Sequence, residues 1–253
     1  MVLEQWSVLF LIFVRLSALI AVLPFFTWRG IPALPKIGFA GVFAYLIFLA
    51  SSPQEFEIPE HFYYYVLAVG SEVLFGLALG FLVLLIFAAA RIAGQMVDVQ
   101  AGLMMASVFD PQFGSQVTLF GQFYYLFALV FYLTVNGHHM LFMAIARSIE
   151  LVTPGGVVFS PQLIPNVMQF IFQMFIIAFQ LAVPVVAVLI FSDLALGLLS
   201  KTVPQLHVFM VGMPLKVGVA LFIIYLIFPY LAQVLETVFA RMQEDIIHLF
   251  NLF

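Results

Sequence analysis

The chain contains no cysteine, so disulfides, thiolate ligands and thiol nucleophiles are all excluded, and cysteine usage leaves no trace of a redox compartment. Charge is nearly as scarce. Only 8% of the 253 residues are Asp, Glu, Lys or Arg, against roughly 25% in an ordinary soluble domain. A net charge of -4 spread over so few groups offers no basic patch for nucleic acid. Lys and Arg are also missing ahead of the first apolar run, where Glu4 stands alone among charged side chains. A cleavable signal peptide needs that basic opening, so the segment is expected to be retained.

What fills the chain instead is apolar: 65% of residues are hydrophobic and 17% aromatic. Windows of about 18 or more nearly uncharged apolar residues mark membrane-spanning candidates. Six are found: Trp6 to Phe26, Ile31 to Ala50, Phe62 to Ala90, Leu119 to Arg147, Val167 to Phe191 and Val217 to Leu235. They leave no room for a soluble domain, and the fold class is all-α with a polytopic look. Under this six-segment topology Arg29, Lys36, Arg91, Lys201 and Lys216 fall on one side, and Arg147 and Arg241 on the other. That bias puts both termini outside the cytoplasm. The acidic connection from Ser51 to His61, with Glu55, Glu57 and Glu60, agrees with an outside loop.

Interruptions carry more information than the runs. Pro204 and Pro214 stand between long apolar segments, and an interior proline loses a backbone bond, so the chain is expected to leave regular helix twice within eleven residues. Irregular backbone at membrane depth survives only where protein buries it or where it lines a cavity.

Three stretches combine polar groups with apolar helix. Glu72, Gly76 and Gly80 share one face of the third segment, a spacing that permits close helix approach. Gln162, Gln169, Gln173 and Gln180 stay within about 40° of arc, an amide ridge that suits either a partner helix or a wet lumen. Arg91, Gln95, Asp98, Gly102 and Met105 form a stripe too polar for lipid. Arg91 and Asp98 lie about 10 Å apart along the axis, so each is expected to find its partner on another helix or another chain. After Phe109, Asp110 and Pro111 stop the helix, and Gly114 with Ser115 supplies turn chemistry. Met104, Met105, Phe109 and Phe113 surround this short loop. Flexible thioethers and apolar rings could close a passage while yielding to a passing chain; the plainer reading is a loop with core methionines.

No constellation supports an enzyme. His138 and His139 are adjacent and point to different helix faces, and no metal-binding spacing, phosphate loop or dinucleotide fingerprint follows. No cofactor or metal is expected. A small ion-coupled secondary transporter is the alternative, because Arg15, Glu72, Asp98 and breaks around Pro184 and Pro204 are features of such carriers.

Several motifs together resemble the FliR family of flagellar type III export-gate proteins, related to the SctT proteins of injectisomes. The resemblance runs through Pro24-Phe25-Phe26, Arg29 to Ala40, Glu72 with Gly76 and Gly80, Ala93 to Ala106 followed by Asp110-Pro111, and Asn136 to His139. It continues through Ser148 to Gly155 and Leu181 to Val217. Around the Pro204-Gln205 turn this chain has Lys201 and His207 where the family often has Arg and Asn, which keeps a cation and a polar side chain.

The resemblance implies a non-enzymatic subunit of bent helical hairpins that assembles with FliP-like and FliQ-like subunits into a helical, ring-like gate, gripped by an FlhB-like subunit. It implies a single export domain, with residues 1–165 FliP-like and 166–253 FliQ-like. It implies a place in the inner (cytoplasmic) membrane at the flagellar basal body, a core lying largely above the membrane plane, and unfolded flagellar proteins as substrates. The segment Met104 to Gln116 maps onto a pore plug, with Met104, Met105, Phe109, Asp110, Pro111, Phe113 and Gly114 as its residues. Glu72, Arg91, Gln95, Asp98, Gln169, Gln173, Gln180, Lys201, Pro204, Gln205 and Lys216 are then the polar groups of subunit contacts.

Overall fold

A computed structural model describes residues 2–27, 32–51, 61–103, 118–202, 208–250 and 252–253. The plug residues Met104, Met105, Phe109, Asp110, Pro111, Phe113 and Gly114, together with Pro204 and Gln205, lie outside the described residues. All regular structure among the described residues is helical: α1 (Val2–Val22), α2 (Ala33–Ala50), α3 (Phe62–Ala101), α4 (Leu119–Thr134), α5 (Gly137–Leu151), α6 (Leu163–Thr202) and α7 (Val208–Phe250). Five helices are long and apolar enough to cross a membrane, or six if the bent α4–α5 pair counts as one span.

Helix ends follow local chemistry. Pro24 follows α1, and Pro32 precedes α2, where its missing N–H costs nothing. The expected fourth span is two helices bent by 68°, because Asn136 sits in the left-handed region at φ 57 and ends the run. The expected break at Pro214 does not occur: α7 runs through both Pro214 and Pro229, as α6 runs through Pro184. Each proline removes one bond from a helix of 40 or 43 residues, and the surrounding turns keep the rest in register. The third, fifth and sixth segments accordingly extend well beyond the windows read from hydropathy.

The chain divides into two compact units. The first comprises Met1–Leu85, Asn136–Ile171 and Phe239–Phe253. Its core joins Leu11, Ile12, Leu16 and Leu19 of α1 to Phe75 and Leu79 of α3 and to Leu141, Ile145 and Ile149 of α5, all buried. Phe253 packs edge-on against Phe75 and Phe159. The backbone of residues 158–160 donates to the carbonyls of Phe253 and Leu252. The second unit comprises Ile86–Val135 and Phe172–Val238. There Phe87 meets Tyr132, Phe127 meets Phe228, and Ala178, Ala182 and Val185 of α6 are buried, as are Ala220 and Ile224 of α7.

Candidate functional site

Charged side chains in so apolar a chain are costly unless paired, so their partners locate the constrained places. In the first unit Arg15 and Glu72 are 1% and 0% exposed. All five guanidinium N–H groups are used. Nε donates to Glu72 Oε2 at 2.5 Å, and Nη2 to Glu72 Oε1 at 2.9 Å and to the Val152 carbonyl at 3.0 Å. Nη1 donates to the carbonyl and the hydroxyl of Ser148 at 3.0 and 3.1 Å. Glu72 Oε1 also accepts the Gly155 N–H at 2.8 Å, where φ is +83° and a side chain would be strained. The Phe75 ring lies 4.4 Å from the guanidinium. One ion pair thus fastens α1, α3, the end of α5 and the turn after it. Gly76 explains the close approach, since a Cβ there would stand 2.3 Å from the Arg15 carbonyl oxygen.

The second unit holds the polar stripe at the end of α3. Asp98 is buried, and its two carboxylate oxygens accept the N–H groups of Phe120 and Gly121, each at 2.9 Å. Those are the second and third residues of α4, whose own N-cap, Thr118, makes no side-chain cap bond. Asp98 therefore caps α4 from a neighbouring helix and places negative charge at its N-terminus. The Asp98 carbonyl accepts the Leu103 N–H at 3.1 Å, and Val99 accepts that of Gly102. With Gly102 at φ +83°, α3 ends in a Schellman motif. A single residue therefore holds the chain on either side of residues 104–117: its carbonyl takes the Leu103 N–H, and its carboxylate the first turn of α4.

The approach again depends on glycine. A Cβ at Gly94 would lie 2.2 Å from the Phe120 carbonyl oxygen. Asp98→Ala leaves two buried N–H groups without an acceptor, at about 1–3 kcal/mol each. Amide exchange at Phe120 and Gly121 is expected to speed by at least about tenfold in Asp98→Ala and less in Asp98→Asn, which keeps one acceptor; unchanged protection in the Ala variant would refute the capping role.

A third cluster stands nearby in the same unit. Lys216 pairs with Asp193, Gln100 Nε2 donates to Asp193 Oδ2 at 2.8 Å, and Lys216 Nζ donates to the Gln100 carbonyl at 3.4 Å. They border a cleft of about 520 Å³ whose lining includes Gly102, Gly197 and Gly212.

Of the other polar positions singled out from sequence, Gln95 is half-buried with its Cγ near Gly121, and Arg91 is exposed with its guanidinium 5.9 Å from the Tyr125 ring. Gln169, Gln180 and Lys201 are exposed and Gln173 is half-buried. Gln162 lies just before α6. The Gln180 carbonyl accepts the Tyr230 hydroxyl at 3.5 Å. Sequence reading missed Arg15 as a partner of Glu72, and it missed Gln100, Asp193 and Gly94. The available signal was charge matching: Arg15 is the only cation of α1, and Glu72 the only acid in the first half of α3.

Comparison with known proteins agrees along the chain. A family model described as bacterial export proteins, family 1, matches residues 6–242. The flagellar biosynthetic protein FliR of Bacillus subtilis (strain 168) is 38% identical, covering 99% of this chain and 97% of its own length. FliR of Escherichia coli (strain K12) is 28% identical over 94% of this chain and 92% of its own. The surface presentation of antigens protein SpaR of Shigella flexneri is 32% identical over 85% of this chain and 82% of its own.

Proposed function

We propose that this chain, which belongs to family 1 of the bacterial export proteins, the family of the FliR proteins, is a structural, pore-forming and non-enzymatic subunit of the flagellar type III export gate. It passes unfolded flagellar proteins across the bacterial inner membrane at the basal body. The physical observation that carries the reading is a mismatch of length. α3, α6 and α7 have 40, 40 and 43 residues, or about 60–65 Å of helix contour, against a hydrocarbon core of about 30 Å. Large apolar side chains nevertheless stay exposed along all of α6, from Ile164 to Leu199, and along α7 from Val211 to Tyr230, beyond which its exposed face turns polar. Lipid can cover about half of the α6 face. The remainder needs protein, which suits FliP-like and FliQ-like neighbours and an FlhB-like subunit.

In this reading the exposed Arg91, Gln169, Gln180 and Lys201 meet those neighbours, residues 1–165 take the FliP-like role and residues 166–253 the FliQ-like one. The segment Met104 to Gln116 is the plug: its methionines and phenylalanines suit a yielding seal, and the anchoring by Asp98 of Leu103 before it and of Phe120 and Gly121 after it supports a fixed position. The transporter alternative loses the break at Pro184, since α6 is unbroken there, and its charges Arg15, Glu72 and Asp98 already have partners within the chain.

Pull-down of the tagged chain from its native membrane, followed by mass spectrometry, is expected to recover FliP-like and FliQ-like proteins together. Recovery of the lone chain, with ion-driven solute uptake by that chain in liposomes, would overturn the proposal.

A further inference from the structure

The chain holds two ion pairs of opposite character among its described residues. Arg15 and Glu72 are sealed in the core, every guanidinium donor is used, and separating them would strand a buried charge. Lys216 and Asp193 are 19% and 39% exposed at the edge of the cleft. A pair so accessible to water contributes little to stability. Its value lies in what it touches, because both partners also bond Gln100, Lys216 through the backbone and Asp193 through the side chain. Gln100 stands in the last turn of α3, inside the Schellman motif that runs from Asp98 to Leu103.

We propose that Asp193 and Lys216 are positioning residues: through Gln100 they form a releasable latch that pins the last turn of α3 to α6 and α7 and so fixes the direction in which the chain leaves α3. Asp98 sets how far apart the two ends of the following segment stand. The latch sets where that pair of ends points. Nothing permanent is required of it, since a pair this accessible to water can exchange its partner for water, and the open cleft beside it, lined by Val99, Leu196 and Met213 as well as by three glycines, leaves room for a small separation. The consequence for the passage rests on the plug reading given above; the latch itself does not.

The absence of cysteine makes the test clean. Gly197→Cys places a single thiol in the cleft lining at a position where a Cβ meets nothing within 4 Å. In the assembled complex, adding Lys216→Met or Asp193→Asn is expected to speed maleimide labelling of that thiol by about two- to fivefold, the range that matches a half-exposed pair. Lys216→Arg, which keeps both the charge and a donor for the Gln100 carbonyl, returns the rate towards that of the parent, whereas the swap Asp193→Lys/Lys216→Asp, which sets a carboxylate against that carbonyl, does not. Unchanged labelling in both single variants overturns the latch, and so does failure of Lys216→Arg to restore the parent rate.

Leak of small ions from cells carrying each variant is read beside a deletion of residues 109–116. Leak from the latch variants and from the deletion supports the positioning role. Leak from the deletion alone, with faster labelling, overturns it. Faster labelling with no leak from either removes the plug reading and leaves the latch standing.

Discussion

Arg15→Met is expected to reduce the yield of intact export complex by more than tenfold, the largest single-residue effect in the chain. The substitution keeps roughly the length of the side chain and makes α1 more apolar, so α1 still reaches the membrane and still packs. What changes is Glu72, which is 0% exposed and would keep only the Gly155 N–H as a partner. Breaking a buried pair by removing one member costs about 3–5 kcal/mol, a large share of the 5–15 kcal/mol typical of a folded domain. The carbonyls of Ser148 and Val152 lose their donors as well.

The cost should fall mainly on the stranded charge, and a second substitution separates the terms. Arg15→Met/Glu72→Gln removes the charge while keeping an acceptor for Gly155, and it is expected to recover most of the yield and of the thermal midpoint in detergent. Glu72→Gln alone should sit between, because Arg15 keeps the Ser148 and Val152 carbonyls. If Arg15→Met matched the parent in yield and midpoint, the pair would be an incidental contact rather than the fastening of α1, α3 and α5.

That pair marks the limit of what hydropathy could reach. Apolar runs located the helices of the described residues, with α4 and α5 merged into one, because a segment that cannot satisfy its backbone in lipid must be helical. Boundaries failed in both directions: the apolar windows were too short for α3, which continues to Ala101, and for α7, which begins at Val208, and too long for α1, which ends at Val22; the helix expected to run to Phe109 ends at Ala101, where Gly102 at φ +83° turns the chain. Pro214 was read as a break because a proline's cost is local and visible. The bonds that outvote it, spread over a helix of 43 residues, are not. Asn136 was singled out with Gly137 but kept inside one apolar window, and the structure sets it in the left-handed region, where the run divides.

For the site, the motif from Ala93 to Gly102 was legible as special but not as a device. Its residues act on partners far along the chain: Gly94 on Phe120, Asp98 on Phe120 and Gly121, Gln100 on Asp193 and Lys216. A spacing argument sees neighbours on one helix face, whereas here each residue is explained by something that folding brings to it. Glu72 with Gly76 and Gly80 was the easier case, since a glycine face announces a close neighbour even when the neighbour is unnamed. Gly80 meets Leu19 and Val22 as Gly76 meets Arg15.

Gly94→Ala should be the second most damaging substitution, and its sign is decided by competition between two effects of one methyl group. In an open helix, alanine in place of glycine is favourable by about 1 kcal/mol. At Gly94 the new Cβ would stand 2.2 Å from the Phe120 carbonyl oxygen, 2.4 Å from its carbon and 2.6 Å from the Gly121 nitrogen. All three are backbone atoms of the first turn of α4, so no rotamer change relieves the contact. Relief requires α4 to move away by about 1 Å, and that motion lengthens both 2.9 Å bonds from Asp98.

Overpacking of this kind costs about 1–3 kcal/mol, and loss of a helix cap adds about 1 kcal/mol, so the clash outweighs the propensity gain. Gly197→Ala and Gly218→Ala are the matched controls, because a Cβ at either meets nothing within 4 Å, and both are expected to leave the thermal midpoint unchanged or raise it. A fall of several degrees in Gly94→Ala alone, with faster amide exchange at Phe120 and Gly121, would show that the glycine exists to let Asp98 reach α4. Equal midpoints across the three variants would remove the close approach from the account, and with it the means by which one aspartate holds both ends of the segment between α3 and α4.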